Sequence, residues 1–306
     1  MKPSPHEQSS IVSISSLESS GSRGFRAFLV SSKYFSIQVS LVNHAHFQMV
    51  FHASSSSRQM RYSKAVMIVL GVLGLFLHGA RGRYNPLPRD WGFSLKWSAR
   101  VGLLFLACSV VAVAVSASLG FFRPVDAGAL LVDFVWFLVF VGFAEETFFR
   151  GYVQERLNEV FSGVFGSFLG VRFEWHRGTL ITGVFFFGLA HLLVAVNPFT
   201  GRFALDEVLL GVTASACFMG VVLGVIKEKT GGVLLPAVIH GLLDFTTFGA
   251  GRVTGLLLSS IASAAALFLF LRFSLRSCCW IEISAFFLGP AFGGFMVYGI
   301  WVGTGL

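Results

Sequence analysis

The fold is decided by residues 127–150, AGALLVDFVWFLVFVGFAEETFFR, an apolar run that closes on two adjacent carboxylates and an arginine. The run exceeds the ~20 residues that a helix needs to cross a bilayer. A charged side chain inside such a helix costs roughly 2.5 to 3.5 kcal/mol on insertion scales, so it is retained where it is paired or has a function. Glu145, Glu146 and Arg150 are therefore candidates for a functional site or a structural pair.

The composition excludes a single water-soluble domain. Hydrophobic residues make up 55% of the 306 residues, charged residues only 12%, and the mean hydropathy is +0.75. These values predict a polytopic membrane protein in contact with lipid. The net charge of +8 does not indicate nucleic acid as a partner, because the basic residues lie between apolar runs and form no binding motif. The four cysteines show no CxxC spacing, so no disulfide framework or thiolate zinc site is predicted.

Long apolar segments predict an all-α fold, a polytopic transmembrane bundle of about seven helices. They lie near residues 101–122, 127–149, 179–197, 207–226, 232–250, 253–271 and 280–304. Helices and closed barrels are the structures that satisfy every backbone polar group in lipid, and no alternating ten-residue pattern favours a barrel. A shorter apolar run from Ala65 to Ala80 fits a signal sequence or a marginal span. We expect this run not to be a permanent transmembrane helix.

Composition also divides the chain into four parts. Residues 1–63 are rich in serine and poor in acids, and they are predicted to be disordered or a targeting segment. An upstream extension before a true start at Met60 is an equal alternative. Residues 64–100 hold the short apolar run and a basic cytoplasmic linker, and residues 101–271 hold the polar intramembrane residues. Residues 272–306 add a further C-terminal transmembrane helix.

The distribution of basic residues orients the predicted bundle. If the loop after residue 80 is cytoplasmic, that side receives 13 of the 16 lysines and arginines between residues 81 and 276. Such an asymmetry is the signature of cytoplasmic loops. Counted at ~1.5 Å per residue from the predicted helix ends, Glu145, His191 and His240 all lie in the cytoplasmic half of the bilayer. The sequence therefore predicts an integral, multi-pass protein with a polar site in that half.

Three further ionisable residues interrupt later apolar segments. His191 follows VFFFGLA at residues 184–190, and His240 and Asp244 lie within LLPAVIHGLLD at residues 234–244. A single membrane histidine is about as often a hydrogen-bond partner between helices as a catalyst. That explanation would have to hold independently in each separated segment, which favours a shared site.

The spacing of these residues suggests their roles. Glu146 and Arg150, four residues apart, share a helix face and are predicted to pair, which leaves Glu145 projecting elsewhere as a free carboxylate. A carboxylate and a histidine near water are the components of general-base catalysis. By the same spacing, His240 and Asp244 share a face. A histidine with a polar neighbour can stabilise an oxyanion or hold a metal.

Three motifs together resemble the CPBP family of intramembrane proteases. They are EExxxRG at residues 145–151, FxxxH at 187–191 and HxxxD at 240–244, the last preceded by TGGVLLPA at 230–237. The family includes type II CAAX prenyl endopeptidases and bacteriocin-processing or lysostaphin-resistance-like proteins. Each motif alone is weak, but three in order on predicted membrane helices are specific. The resemblance covers roughly residues 101–271.

The resemblance implies an intramembrane endopeptidase in which Glu145 and His191 activate a water molecule and His240 and Asp244 support the oxyanion. An ionised carboxylate only accepts hydrogen bonds, so Asp244 would have to be protonated or to ligate a metal. Two histidines with carboxylates suit zinc, so a metalloprotease with Glu145, His191, His240 and Asp244 as ligands remains an alternative to a glutamate-dependent protease. The implied substrate is a peptide or a prenylated CAAX protein.

Two non-proteolytic functions also remain open. The same fold would serve as a membrane immunity or scaffold protein if the polar residues were retained for helix packing. Intramembrane Glu, His and Asp side chains also line ion pathways in transporters. We rank the transporter last, because the sequence shows no doubled repeat.

Overall fold

The computed structural model describes residues 57–77, 86–168, 171–197, 202–203, 205 and 207–274. Two predictions fall outside this part of the chain, namely disorder over residues 1–56 and a helix near residues 280–304. Residues 57–63, which the sequence places in the disordered or targeting segment, form the first turns of a helix.

Seven helices lie in the described part of the chain. Their bounds are Ser57–Leu77 (α1), Trp91–Ser118 (α2), Ala127–Val160 (α3), the consecutive segments Arg177–Ile181, Thr182–Gly188 and Leu189–Ala195 (together α4), Glu207–Thr230 (α5), Leu234–Thr254 (α6) and Leu256–Ser274 (α7). Six of the predicted apolar segments correspond to α2 to α7. The helix α1 was not among them.

Two short antiparallel hairpins, which the all-α prediction did not include, connect α3, α4 and α5. Strand β1 (Val164–Phe168) pairs with β2 (Val171–His176), and β3 (Val196–Asn197) pairs with β4 (Arg202–Phe203). Both hairpins lie between helices, so the bundle itself is entirely helical.

Four of the helices are long and apolar enough to cross a membrane. They are α2, α3, the Leu209–Thr230 part of α5, and α6. Large apolar side chains point outward from them, as shown by Leu103, Leu131 and Val132, which are 66%, 63% and 67% exposed. Such a surface is compatible with lipid and not with water. The predicted fold class, an all-α polytopic membrane bundle, is confirmed.

Two helices extend by several turns beyond a predicted end, α2 at its N-terminus and α3 at its C-terminus. Asp90 caps the N-terminus of α2, because its side chain accepts a hydrogen bond from the backbone N–H of Phe93 at 2.9 Å. Lys96 and Arg100, assigned to a linker by the sequence, therefore lie on this helix. At the end of α3, Arg150 is fully buried on the helix and does not belong to the loop residues that orient the bundle.

The core lies between α2, α5, α6 and α7. Its most buried members are Val101 and Phe105 of α2, Leu223 of α5, Ile239 of α6 and Ala266 of α7, all at most 1% exposed. This packing fixes α6 against the centre of the bundle. The residues that α6 carries toward α3 are thereby held in place.

Two glycines let α3 and α6 approach each other backbone to backbone. A Cβ atom at Gly241 would lie only 2.6 Å from the Cα of Leu138, and one at Gly142 would lie 3.1 Å from the backbone nitrogen of Gly241. Small residues permit such close crossings between membrane helices. Gly142 precedes Glu145 by three residues and Gly241 follows His240 directly, so this crossing brings the two polar residues together.

The first helix, α1, packs along α3. A Cβ atom at Gly71 would lie 3.3 Å from the Cα of Phe148, and one at Gly74 would lie 2.7 Å from the ring of Tyr152. We expected residues 65–80 not to form a permanent transmembrane helix. Residues up to Leu77 are helical and packed, and their apolar part, Lys64–Gly74, is shorter than the four long spans.

Candidate active site

The helices that carry the predicted site residues depart from regular α-helical geometry beside them. The π-helical segments are Trp136–Phe143 and Thr147–Val153 on either side of the two glutamates, Thr182–Gly188 before His191, and Phe245–Gly249 after Asp244. π-Helical turns are rare and are often found at functional sites, where they redirect side chains. The backbone therefore departs from a regular α-helix next to the positions from which the polar side chains project.

Glu146 and Arg150 form a buried ion pair within α3. Arg150 Nη1 donates to Glu146 Oε1 at 2.8 Å, the contact that the four-residue spacing predicts, and both side chains are fully buried. Arg150 Nη2 also donates to the carbonyl oxygen of Gly220 on α5 at 3.1 Å. The guanidinium lies 4.2 Å above the centre of the Phe187 ring, a cation–π contact with α4. Arg150 thus links three helices.

His240 lies among three carboxylates. Its Nδ1 is 2.8 Å from Glu146 Oε1, and its Nε2 is 3.8 Å from Glu145 Oε2 and 3.6 Å from Asp244 Oδ2. Because a carboxylate only accepts, Nδ1 carries a proton. The four-residue spacing predicts the proximity of Asp244. The contacts with α3 depend on how the helices pack and cannot be derived from spacing.

Glu145 is not the free carboxylate that the sequence predicted. Lys64 Nζ on α1 donates to Glu145 Oε1, and both side chains are buried. The prediction was wrong because a helical wheel shows neighbours only within one helix, and Lys64 precedes Glu145 by 81 residues. The available signal was a lysine at the start of an apolar run, the same signal that identified the other ionisable residues.

His191 lies beside this cluster and is connected to it through Phe187. Its Nδ1 is 2.9 Å from the carbonyl oxygen of Phe187 and 3.2 Å from that of Gly188, so Nδ1 carries the proton and Nε2 is the basic nitrogen of the neutral ring. The Phe187 ring lies 5.6 Å, centroid to centroid, from each of the imidazoles of His191 and His240. His191 also interacts electrostatically with Glu145.

The predicted zinc ligands do not assemble into a metal site. Within the described residues, no group of three or more His, Cys, Asp or Glu side chains is arranged to hold a metal ion. One oxygen of Glu145 is bound by the ammonium of Lys64, a cation that cannot act as a ligand. The set Glu145, His191, His240 and Asp244 does not fit zinc in this arrangement, and we derive no catalytic step through a metal.

A second polar cluster fixes the start of α4 and was not predicted. Glu228 of α5 accepts hydrogen bonds from Asn158 Nδ2 at 3.1 Å, from the backbone nitrogen of His176 at 3.1 Å and from the hydroxyl of Thr179. The imidazole of His176 lies 3.0 Å from the same carboxylate. These bonds join the ends of α3, α4 and α5, so we assign Glu228 a structural role.

Comparison with known proteins identifies one family. A family model described as Rce1-like, type II CAAX prenyl endopeptidase, matches residues 127–246. The matched residues include all four predicted catalytic side chains and exclude Lys64. No curated protein and no solved structure matches the chain. The resemblance to the CPBP intramembrane proteases is confirmed by the family match.

Proposed function

We propose that this chain, whose residues 127–246 match the Rce1-like family model, is a glutamate-dependent endopeptidase of the CPBP type. The observation that carries the proposal is the buried cluster in which His240 Nε2 lies 3.8 Å from Glu145 and 3.6 Å from Asp244. Two helices distant in sequence contribute these ionisable groups at a place where charge is costly. Ionisable groups are retained despite this free-energy cost where they take part in catalysis.

In the proposed reaction, Glu145 is the general base. It accepts a proton from a water molecule, whose oxygen attacks the carbonyl carbon of the scissile peptide bond. His191 orients this water through Nε2, because its Nδ1 is held by the carbonyl oxygens of Phe187 and Gly188. When the carbon–nitrogen bond breaks, the protonated Glu145 returns the proton to the leaving nitrogen.

His240 is assigned to the oxyanion that forms during the attack. Glu146 accepts the Nδ1 proton at 2.8 Å and so fixes the orientation of the ring. The carboxylates of Glu145 and Asp244 that face Nε2 favour a second proton on it, and the Nε2–H of this imidazolium donates to the developing negative charge. Asp244 lies beside Nε2 and as an ionised carboxylate only accepts. We therefore assign Asp244 to orienting His240 instead of donating to the oxyanion.

The proposed substrate is a protein that ends in a prenylated CAAX sequence and loses its last three residues. The description of the matched family supports this class. The basic residues between the predicted spans support a site in the cytoplasmic half of the membrane, where such substrates occur. A prenyl group would reach the site from the lipid that surrounds the apolar outer surface of the bundle.

Cleavage mapping by mass spectrometry tests the proposal. Purified protein in liposomes is given a farnesylated CAAX peptide or the same peptide without the lipid, and we expect release of the C-terminal tripeptide from the farnesylated one. Glu145→Gln is expected to lower kcat by about 10²- to 10⁴-fold, the usual contribution of a general base. The matched control is Glu159→Gln on the same helix, whose carboxylate pairs with Arg156 at 2.8 Å near the surface.

Each outcome of this experiment decides between the functions. Full activity of the Glu145→Gln variant would remove the proposed base. No cleavage of either peptide by the parent protein would favour the non-catalytic immunity or scaffold function. A chelator added to the active protein is expected to leave the rate unchanged, because the cation that contacts Glu145 is Lys64. Loss of activity that zinc restores would replace the glutamate mechanism with a metalloprotease.

A further inference from the structure

We infer that Lys64 is a positioning residue of the active site, contributed by α1 from outside the matched family region. It binds one carboxylate oxygen of Glu145 and thereby directs the other toward His240 and the reacting water. The inference rests on the proposed function, because Lys64 acts through the proposed base. It adds a helix to the site that the three sequence motifs do not include.

The contact itself is specific to one oxygen. Lys64 Nζ donates to Oε1 of Glu145, whereas Oε2 faces Nε2 of His240 at 3.8 Å. A carboxylate held at one oxygen has lost most of its rotational freedom. Its second oxygen is then aimed at a fixed point, which is what a general base requires for proton transfer.

The pairing of charges in the cluster also identifies Lys64 as the partner of Glu145. Arg150 donates hydrogen bonds to Glu146 and to the carbonyl oxygen of Gly220. It interacts with Glu145 only through longer-range electrostatics, whereas Lys64 bonds to Glu145. Lys64 is completely buried, and a buried lysine is almost always paired. Lys64 also interacts electrostatically with Asp244, which places its charge within reach of both carboxylates near His240 Nε2.

The packing of α1 shows that Lys64 is directed inward. Lys64, Met67, Gly71 and Gly74 are buried, and positions three, seven and ten residues apart fall on one face of a helix at ~100° per residue. The opposite face of α1 is apolar and exposed, with Val69 53% and Phe76 56% accessible. From Lys64 onward, this helix therefore presents Lys64 to the protein and large hydrophobic side chains to the surroundings.

The two glycines of the buried face fix the register between α1 and α3. The backbone at Gly71 lies against Phe148, and the backbone at Gly74 lies against the ring of Tyr152, so a Cβ atom at either position would require α3 or its side chains to shift. Lys64 begins the same face two turns earlier and meets Glu145. The close contact of α1 with α3 at Gly71 and Gly74 thus fixes the position from which Lys64 reaches the carboxylate of Glu145.

The inference is tested by kinetics of four variants in the liposome cleavage assay. Lys64→Met removes the charge and retains the length of the side chain, and Lys64→Arg retains a cation. We expect Lys64→Met to lower kcat by about 10²-fold, the cost of misplacing a catalytic group by about 1 Å, with KM nearly unchanged. Lys64→Arg is expected to restore part of kcat. The matched control is Lys96→Met, a loss of an exposed lysine on α2.

The fourth variant, Lys64→Met combined with Glu145→Gln, separates a positioning role of Lys64 from a merely structural one. If Lys64 acts through Glu145, Lys64→Met made in the Glu145→Gln background changes the residual rate little, because the two effects are not additive. Equal losses in both backgrounds would show that Lys64 supports the fold generally. Should Lys64→Met fail to fold, Lys64→Gln, which keeps a hydrogen-bond donor without the charge, is measured in the same two backgrounds.

The remaining outcomes distinguish this inference from the proposed function. An active parent, an inactive Glu145→Gln variant and a fully active Lys64→Met variant would overturn the role of Lys64 alone. A Lys64→Met variant faster than the parent would also overturn it, since Lys64 would then be an internal inhibitor of Glu145. An inactive parent, or an active Glu145→Gln variant, would overturn the proposed function and the role of Lys64 with it.

Discussion

Arg150 contacts a carboxylate, a backbone carbonyl and an aromatic ring at once. Its guanidinium binds the carboxylate of Glu146 at 2.8 Å and the carbonyl oxygen of Gly220 at 3.1 Å, and it lies over the ring of Phe187. Glu146 in turn accepts the Nδ1 proton of His240. At the scale of single residues, the site is therefore a series of buried charges in which each ion is stabilised by an oppositely charged neighbour.

Removing Arg150 is expected to destabilise the protein strongly. Arg150→Met leaves the carboxylate of Glu146 buried without its cation, which costs about 3 to 5 kcal/mol in comparable pairs. The measurement is the thermal or denaturant unfolding of the purified variant. The control is Arg156→Met six residues later, where the partner Glu159 lies 2.8 Å away near the surface and the loss is expected to stay within about 1 kcal/mol. Equal stabilities of both variants would contradict this account.

Local spacing predicts the contacts within a helix and misses those between helices. The proximity of Glu146 to Arg150 and of His240 to Asp244 follows from the helical repeat. The bond from His240 to Glu146 spans 94 residues, and Lys64 reaches Glu145 from a helix outside the recognised motifs. Such partners depend on which helices pack together and in which register, which a single sequence does not encode in any local pattern.

At the scale of elements, the crossing of α3 and α6 determines the site. The two helices touch through Gly142 and Gly241, each within one turn of a proposed catalytic residue. The π-helical segments flanking the glutamates lie on the same stretch of α3. The interhelical distance at the glycines therefore sets the separation between Glu145 and His240.

A methyl group at this crossing is expected to reduce catalysis more than stability. In Gly241→Ala the new Cβ would lie 2.6 Å from the Cα of Leu138, so the helices must separate or shift. Overpacking of this kind costs roughly 1 to 3 kcal/mol, and a shift of about 1 Å between catalytic groups lowers kcat about 10²-fold. Gly102→Ala on α2 is the control, since its Cβ would meet nothing within 4 Å. An active Gly241→Ala variant with unchanged kcat would refute the role of the crossing.

The positions of the helices were predictable from the apolar runs, whereas their polar ends were not. The long runs gave α2 to α7 because a membrane helix must be apolar over most of its length. The extra turns at one end of a helix, such as Gln154–Val160 at the end of α3, were missed because they are polar. Hydropathy locates the part of a helix inside the lipid and not the part that continues into water.

At the scale of the whole molecule, the polar end of α3 places the site relative to the membrane surface. The apolar part of α3 ends near Val153, where Gln154–Val160 begins. Glu145 precedes that point by eight residues, which corresponds to ~12 Å at 1.5 Å per residue. If the end of α3 faces the cytosol, as the basic residues predict, the site lies in the cytoplasmic half of the bilayer, as the proposed function requires.

Cysteine labelling in intact cells is expected to show this orientation. With the native cysteines replaced, a cysteine at Ser162 after α3 should react with a membrane-impermeant maleimide only once the cells are opened, and one at Pro124 before α3 should react in intact cells. The reason is that α3 is long and apolar enough to cross the bilayer between these two positions, which would place them on opposite sides. Cleavage of the farnesylated peptide by each variant controls for folding. Labelling of position 162 in intact cells would place the site in the outer half and exclude a cytosolic CAAX substrate.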